Sequence, residues 1–130
     1  MKATDVRIGN IVKSLNEEVE YCIIESITKT RITGTNNNTQ GRFVSKWNSG
    51  SDFFQGLPLT EKWLTKLGFS KITTSHDLAL GNFRWNSKTG LYYERETESD
   101  VVEIDLSHIE HVHEFQNCYF AITGDEPFLR

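Results

Sequence analysis

The chain has 130 residues, 37% of them hydrophobic, 12% aromatic and 25% charged, with two prolines, which is enough apolar surface for one domain-sized core and excludes compositional disorder. A net charge of −4 is too mild for a protein whose whole surface mimics or embraces a polyanion. No run approaches the ~20 apolar residues of a membrane span, and Met1-Lys2-Ala3-Thr4-Asp5 lacks the apolar stretch of a signal peptide, so the expectation is a cytoplasmic protein without a membrane partner.

In chain order, residues 7–12 read as a first strand carrying Gly9, and residues 19–27 and 30–33 as further strands rich in β-branched side chains. Asn36-Asn37-Asn38-Thr39-Gln40-Gly41 is a polar loop, after which residues 42–47 resume the strand pattern. So many short strands in under sixty residues cannot all leave their edges open, which predicts a small SH3-like barrel or curled sheet. Gly50 to Gly56 marks a subdomain junction, dividing a β-rich part, residues 1–57, from an α+β part, residues 58–130, within one compact unit.

Leu57-Pro58-Leu59-Thr60-Glu61 is a helix start, with Thr60 as N-cap and Leu59 placed to pack on Leu64. Gly68 stops that helix, and Phe69 follows as the apolar partner of Leu64 in a Schellman motif. Phe83-Arg84-Trp85 and Leu91-Tyr92-Tyr93 flank a Gly90-containing turn and form a hairpin, and Val102, Ile104 and Leu106 alternate with Glu103 and Asp105 as a third strand of an antiparallel meander. Ser107-His108-Ile109-Glu110 has the form of a capping box, predicting a helix over 108–123 that ends at Gly124. Its helical period gathers Ile109, Val112, Phe115, Tyr119, Phe120 and Ile122 on one face, to lie on the meander. Gln116 falls within that face, and a buried amide there requires backbone partners at a sheet edge or between the two halves.

Three stretches carry a resemblance: Asp5-x-Arg7-Ile8-Gly9-Asn10, Leu57-Pro58-Leu59-Thr60-Glu61-x-Trp63-Leu64-x-x-Leu67-Gly68-Phe69, and Val112-His113-x-x-Gln116-Asn117-x-Tyr119-Phe120-Ala121-x-Thr123-Gly124. Together they resemble a family of small uncharacterised proteins of Bacteroidetes phages, prophages and conjugative elements, with Phe115, Cys118 and Pro127 departing from the usual pattern. The resemblance implies an accessory protein of a mobile element in a bacterial cytoplasm, and it hands over no catalytic residues.

The residues offer little chemistry. Cys22 and Cys118 read as small hydrophobes of a reducing compartment. His108, His111 and His113, with Glu110 and Glu114, resemble a metal cluster, but on a helix His111 and His113 would point about 160° apart, so no metal is expected. His76-Asp77 has no nucleophile placed by motif to complete a triad, and no phosphate-binding glycine loop is present. The expectation is therefore a protein that is not an enzyme, with no catalytic residues and no cofactor.

Charge is unevenly divided: residues 1–57 hold seven basic and six acidic side chains, residues 58–130 seven and twelve. Much of the excess is one strip, Glu94, Glu96, Glu98, Asp100, Glu103 and Asp105, relieved only by Arg95. The leading candidate for partner contact is its first part, Glu94, Glu96, Glu98 and Asp100, offered to a basic protein surface, such as that of a host or phage component of a defence system. Nucleic acid is the alternative partner, through Lys29, Arg31, Arg42 and Lys46 near Phe43 and Trp47 in the N-terminal sheet, although Glu17, Glu18, Glu20 and Glu25 share that segment. A second alternative is sequestration of a small nucleotide ligand, and assembly into a homo-oligomer stays open.

Overall fold

The computed structural model describes residues 6–14, 20–28, 31–36, 42–46, 54–72 and 77–127. They form a mixed α+β structure with two antiparallel sheets. The first sheet holds β1 (Ile11–Ser14), β2 (Cys22–Ile27), β3 (Arg31–Asn36), β4 (Arg42–Lys46) and β5 (Phe54–Gln55), in the order β4-β3-β2-β1-β5. Next come α1 (Glu61–Lys66), then β6 (Ser70–Lys71), β7 (Leu78–Leu80), β8 (Phe83–Asn86), β9 (Gly90–Glu96) and β10 (Val101–Asp105), a meander in the order β10-β9-β8-β7-β6, and last α2 (Val112–Thr123).

Gly9 takes a φ of 92°, outside the strand region, so residues 7–10 make a turn closed by the Asn10 N–H on the Arg7 carbonyl at 3.1 Å, and β1 begins only after it. Among the described residues no ladder joins β4 to β5, so the first sheet is open where a closed barrel was one of two expectations. The loop expected over 36–41 lies, Asn36 apart, outside the described residues, as do 50–53 of the expected junction. Gln55 beyond them pairs with Lys13 of β1.

α1 is built from local signals. Thr60 Oγ1 accepts the Trp63 N–H at 3.3 Å, and at the other end Phe69 N–H donates to Leu64 O and Gly68 N–H to Thr65 O, the two bonds of a Schellman stop, with Gly68 at φ 105°. Tyr21 meets Trp63 edge-on at 5.2 Å, and Glu20 reaches Lys62 and Lys66, so α1 is tied to the start of β2. The same two ammonium groups, Lys62 first, hold the Glu20 carboxyl below its ordinary range.

α2 does not start where the capping box suggests. Glu110 O accepts the Leu59 N–H at 2.8 Å and Val112 N–H donates to Leu57 O at 2.9 Å, a bridge centred on Pro58 and His111 that holds His111 extended at φ −126°, ψ 151°. A residue committed to that bridge cannot also be helical, so Ser107 to Glu110 form a turn, the N-cap is His111 without a side-chain bond, and the helix begins at Val112. Its end is as expected, with Gly124 left-handed at φ 78°.

Phe115 is the centre of the core: its ring lies 5.3 Å from Phe69 and 5.4 Å from Phe83, so α2 rests on the meander through β8. Phe120 is not core. It is 44% exposed, as Ile122 is 48%, and its ring carries the Arg7 guanidinium 4.5 Å from the centroid. The apolar period of the helix is thus used fully only in its first half.

Gln116 lies between the halves, as its place in the apolar face requires. Ile11 N–H donates to its Oε1 at 2.7 Å, and its Nε2 donates to Gly9 O at 3.1 Å. Beside it the fully buried Asn10 accepts the Arg7 N–H at 2.7 Å and donates to Asn117 Oδ1 at 2.8 Å. Arg7 completes the joint with a bond to Gln116 O and an ion pair with Glu126. Residues 7–11 and 116–117 thus meet here, and Leu57 and Leu59 supply the other side of the bridge to α2.

Candidate functional site

The β9–β10 hairpin presents the acidic strip. Its two strands pair in unbroken register, Glu96 with Val101, Glu94 with Glu103 and Tyr92 with Asp105. Because side chains alternate along a strand, Tyr92, Glu94, Glu96, Val101, Glu103 and Asp105 occupy one face, and Tyr93, Arg95, Val102 and Ile104 the other. Of the acids in the strip all but Glu94 are exposed, and Glu94, half-buried, has Arg84 Nε 3.6 Å from its Oε2. Glu94 and Glu103 are like charges placed directly opposite, an arrangement that costs stability in a sheet.

The connecting residues 97–100 close on themselves. Thr97 N–H donates to Asp100 O at 2.8 Å, and Asp100 Oδ1 accepts the Val101 N–H at 2.8 Å. Of the four expected contact residues, Glu94 and Glu96 therefore share the strand face, while Glu98 and Asp100 stand at its tip. Glu103 and Asp105 join that face from the next strand. Asp105 accepts the Ser107 N–H, and this backbone bond holds its carboxyl below the ordinary range.

Two residues of this face had no signal as site residues taken singly. Arg84 pairs with Tyr92 across β8 and β9, a neighbour that the hairpin register alone identifies. The Tyr92 hydroxyl donates to Asp77 Oδ2 at 2.5 Å. Burial first, then that bond and the charges of Asp77, Glu94 and Glu103, push the phenol well above its ordinary range, so it stays a neutral donor. Tyr92, Asn86, Thr89, Glu103 and Asp105 line an open cleft of about 370 Å³. Its carboxylates suit a cationic group and repel an anion.

The histidines correct a geometric expectation. Since His111 is extended and not helical, its ring does not diverge from that of His113: the two lie 5.7 Å apart at 30°. His111 Nδ1 sits 2.5 Å from Glu114 Oε1, and His108 is exposed in the preceding turn. Both rings cover Gly56, where a Cβ would come within 2.6 Å of His111 Cδ2, so a side chain there would have to displace the His111 ring. Among the described residues no group of three or more His, Cys, Asp or Glu is placed to hold a metal ion. Cys22 is buried, and burial raises the thiol pKa of Cys118.

Lys29, Trp47, Glu17, Glu18 and His76 lie outside the described residues. The β3–β4 ladder puts Arg31 opposite Lys46 and Arg42 opposite Thr35, and the side chains of Arg31, Arg42, Phe43 and Lys46 also lie outside what is described. Glu25, on the neighbouring strand, accepts from the Thr35 hydroxyl. No helix among the described residues is long and apolar enough to cross a membrane. Compared with protein families, curated proteins and solved structures, the chain matches none of them.

Proposed function

We propose that this chain is a non-enzymatic binding protein that offers the acidic β9–β10 hairpin to a basic surface of a protein partner. The observation that carries this reading is the register that sets Glu94, Glu96, Glu103 and Asp105 on one face of the hairpin, with Glu98 and Asp100 at its tip. A like-charged arrangement of this kind stores repulsion that an incoming cation relieves. Its resemblance to small proteins of phages and conjugative elements directs the search for that partner to host or phage components, defence proteins among them.

The test is a tagged pull-down from the native host, followed by association kinetics of what is captured. Replacing Glu96, Glu98 and Asp100 by lysine should slow association and abolish its salt dependence. An unchanged rate in that variant would place the contact elsewhere.

A second reading, nucleic-acid contact through the first sheet, is favoured by one observation: Arg31, Lys46 and Arg42 occupy positions of the same parity on paired strands. It requires binding to a single-stranded oligonucleotide that falls steeply with salt and is lost in an Arg31→Ala, Arg42→Ala, Lys46→Ala variant.

A further inference from the structure

Resting on the acidic-hairpin reading, we propose the mode and the kind of partner: the outer edge of β10 accepts one extended strand of a partner protein, basic at alternate positions, and adds it to the meander as a further strand. Among the described residues β10 is the last strand in its sheet. Leu106 N–H donates to Leu91 O and Thr97 N–H to Asp100 O. In an antiparallel ladder bonded pairs alternate, so residues 100, 102, 104 and 106 bond toward β9, and the N–H and C=O groups of Glu103 and Asp105 point away from it.

Edges that merely avoid pairing are blunted by charged side chains, lysine above all, or by proline, a bulge or brevity, and of these β10 has only its acids, Glu103 and Asp105, which repel an acidic strand and attract a basic one. This one has five residues in unbroken register, without proline or bulge. It also leaves apolar surface open: Val102 and Ile104, on the face shared with the core residue Phe83, are 46% and 45% exposed. An added strand would cover both and bond the two outward residues, as strand addition does elsewhere.

Charge selects the occupant. A second copy pairing antiparallel about Glu103 would set that carboxylate against its twin, between chains that each carry −4. A strand with lysine or arginine opposite Glu103 and Asp105, and apolar residues opposite Val102 and Ile104, turns the same acids into attraction.

The experiment uses the full chain and three short capped peptides: one alternating lysine and valine, one of the same composition with its lysines gathered at one end, and one alternating glutamate and valine. The alternating lysine peptide should bind at least about tenfold more tightly than either control. It should also newly protect the Glu103 and Asp105 amides from hydrogen exchange. Glu103→Pro removes an outward N–H without touching the β9 ladder and should weaken that peptide about tenfold or more, beyond the effect of Glu103→Gln, which keeps the N–H. Exchange on the unaltered protein keeps the test independent of how Glu103→Pro folds. Failure of the alternating peptide to bind, equal binding of both lysine peptides, unchanged protection at Glu103 and Asp105, or self-association abolished by Glu103→Pro overturns the proposal. If both lysine peptides bind equally and lose binding in the triple lysine variant, the acidic surface survives and strand addition falls. If the alternating peptide still protects the edge in that variant, which keeps Glu103 and Asp105, strand addition stands and Glu96, Glu98 and Asp100 take no part in selecting the partner.

Discussion

The joint around Gln116 and the β9–β10 hairpin are both polar, yet they spend their polar groups in opposite ways. In the joint, Asn10 and Gln116 are buried and bonded to backbone and to each other's neighbours, so each group satisfies another. In the hairpin, Glu94 faces Glu103 and the edge backbone of β10 has no strand beyond it among the described residues. Polarity alone therefore does not identify a contact surface. Buried and reciprocated, it fixes how α2 meets β1; exposed along a strand edge, it is what the proposed partner would use.

Truncating the apolar floor beneath the joint should cost most. Phe115→Ala should destabilise by about 3–5 kcal/mol in urea unfolding, as loss of a fully buried aromatic does, whereas Phe120→Ala, five residues on, should cost about 1 kcal/mol or less. Equal costs would mean that the helix is buried along its whole length. Within the joint itself, Gln116→Leu strands the Ile11 N–H and the Gly9 carbonyl, and should cost about 2–4 kcal/mol. On the hairpin, by contrast, the triple change of Glu96, Glu98 and Asp100 to lysine should move stability by no more than about 1 kcal/mol, measured in the same way.

Alkaline pH sharpens the contrast at the boundary of the hairpin. A phenol whose folded pKa is raised contributes stability that is fully present below its unfolded value and is lost as pH rises toward the folded one. Unfolding followed above about pH 10, the ordinary tyrosine range, should therefore show a fall in stability that Tyr92→Phe reduces. The smallest effect separates the two helix starts: Thr60→Ala should cost about 1 kcal/mol, and Ser107→Ala less than about 0.5 kcal/mol, since Ser107 caps nothing.

Those two positions show what could be read in advance. Every partner of the Thr60 cap and of the Gly68 stop lies within five residues, so local chemistry decides α1. Ser107 carries an equally good signal, but Leu57 and Leu59 compete for the same backbone from about fifty residues away, and nothing near Ser107 announces them. The His111 ring was misplaced for the same reason, because its direction followed from a helix that had not yet begun. Gln116 was legible as a buried amide from its apolar neighbours, though Gly9 and Ile11 could not be named as its partners. Phe120 fits the apolar period, and only the fold shows the Arg7 guanidinium over its ring. The hairpin acids were legible as a run of charge along the chain, but the pairing of Glu94 with Glu103 across residues 97–100 was not, and Asp77 comes from outside the strands of the hairpin.

The bridge between Pro58 and His111 also bears on how the chain reaches its native state. A peptide cut from residues 105–124 has no Leu57 or Leu59 to hold its start extended, so its helical population should be capped by Ser107 and begin at His108, four residues earlier than in the protein. Carbon chemical shifts of that peptide at low temperature would reveal the extra turn. In the whole chain the same non-native turn must melt before the 57–59 segment can dock, a small local detour on the folding path. Stabilising it, for example by alanine at His108, would slow folding while leaving the native contacts of α2 untouched.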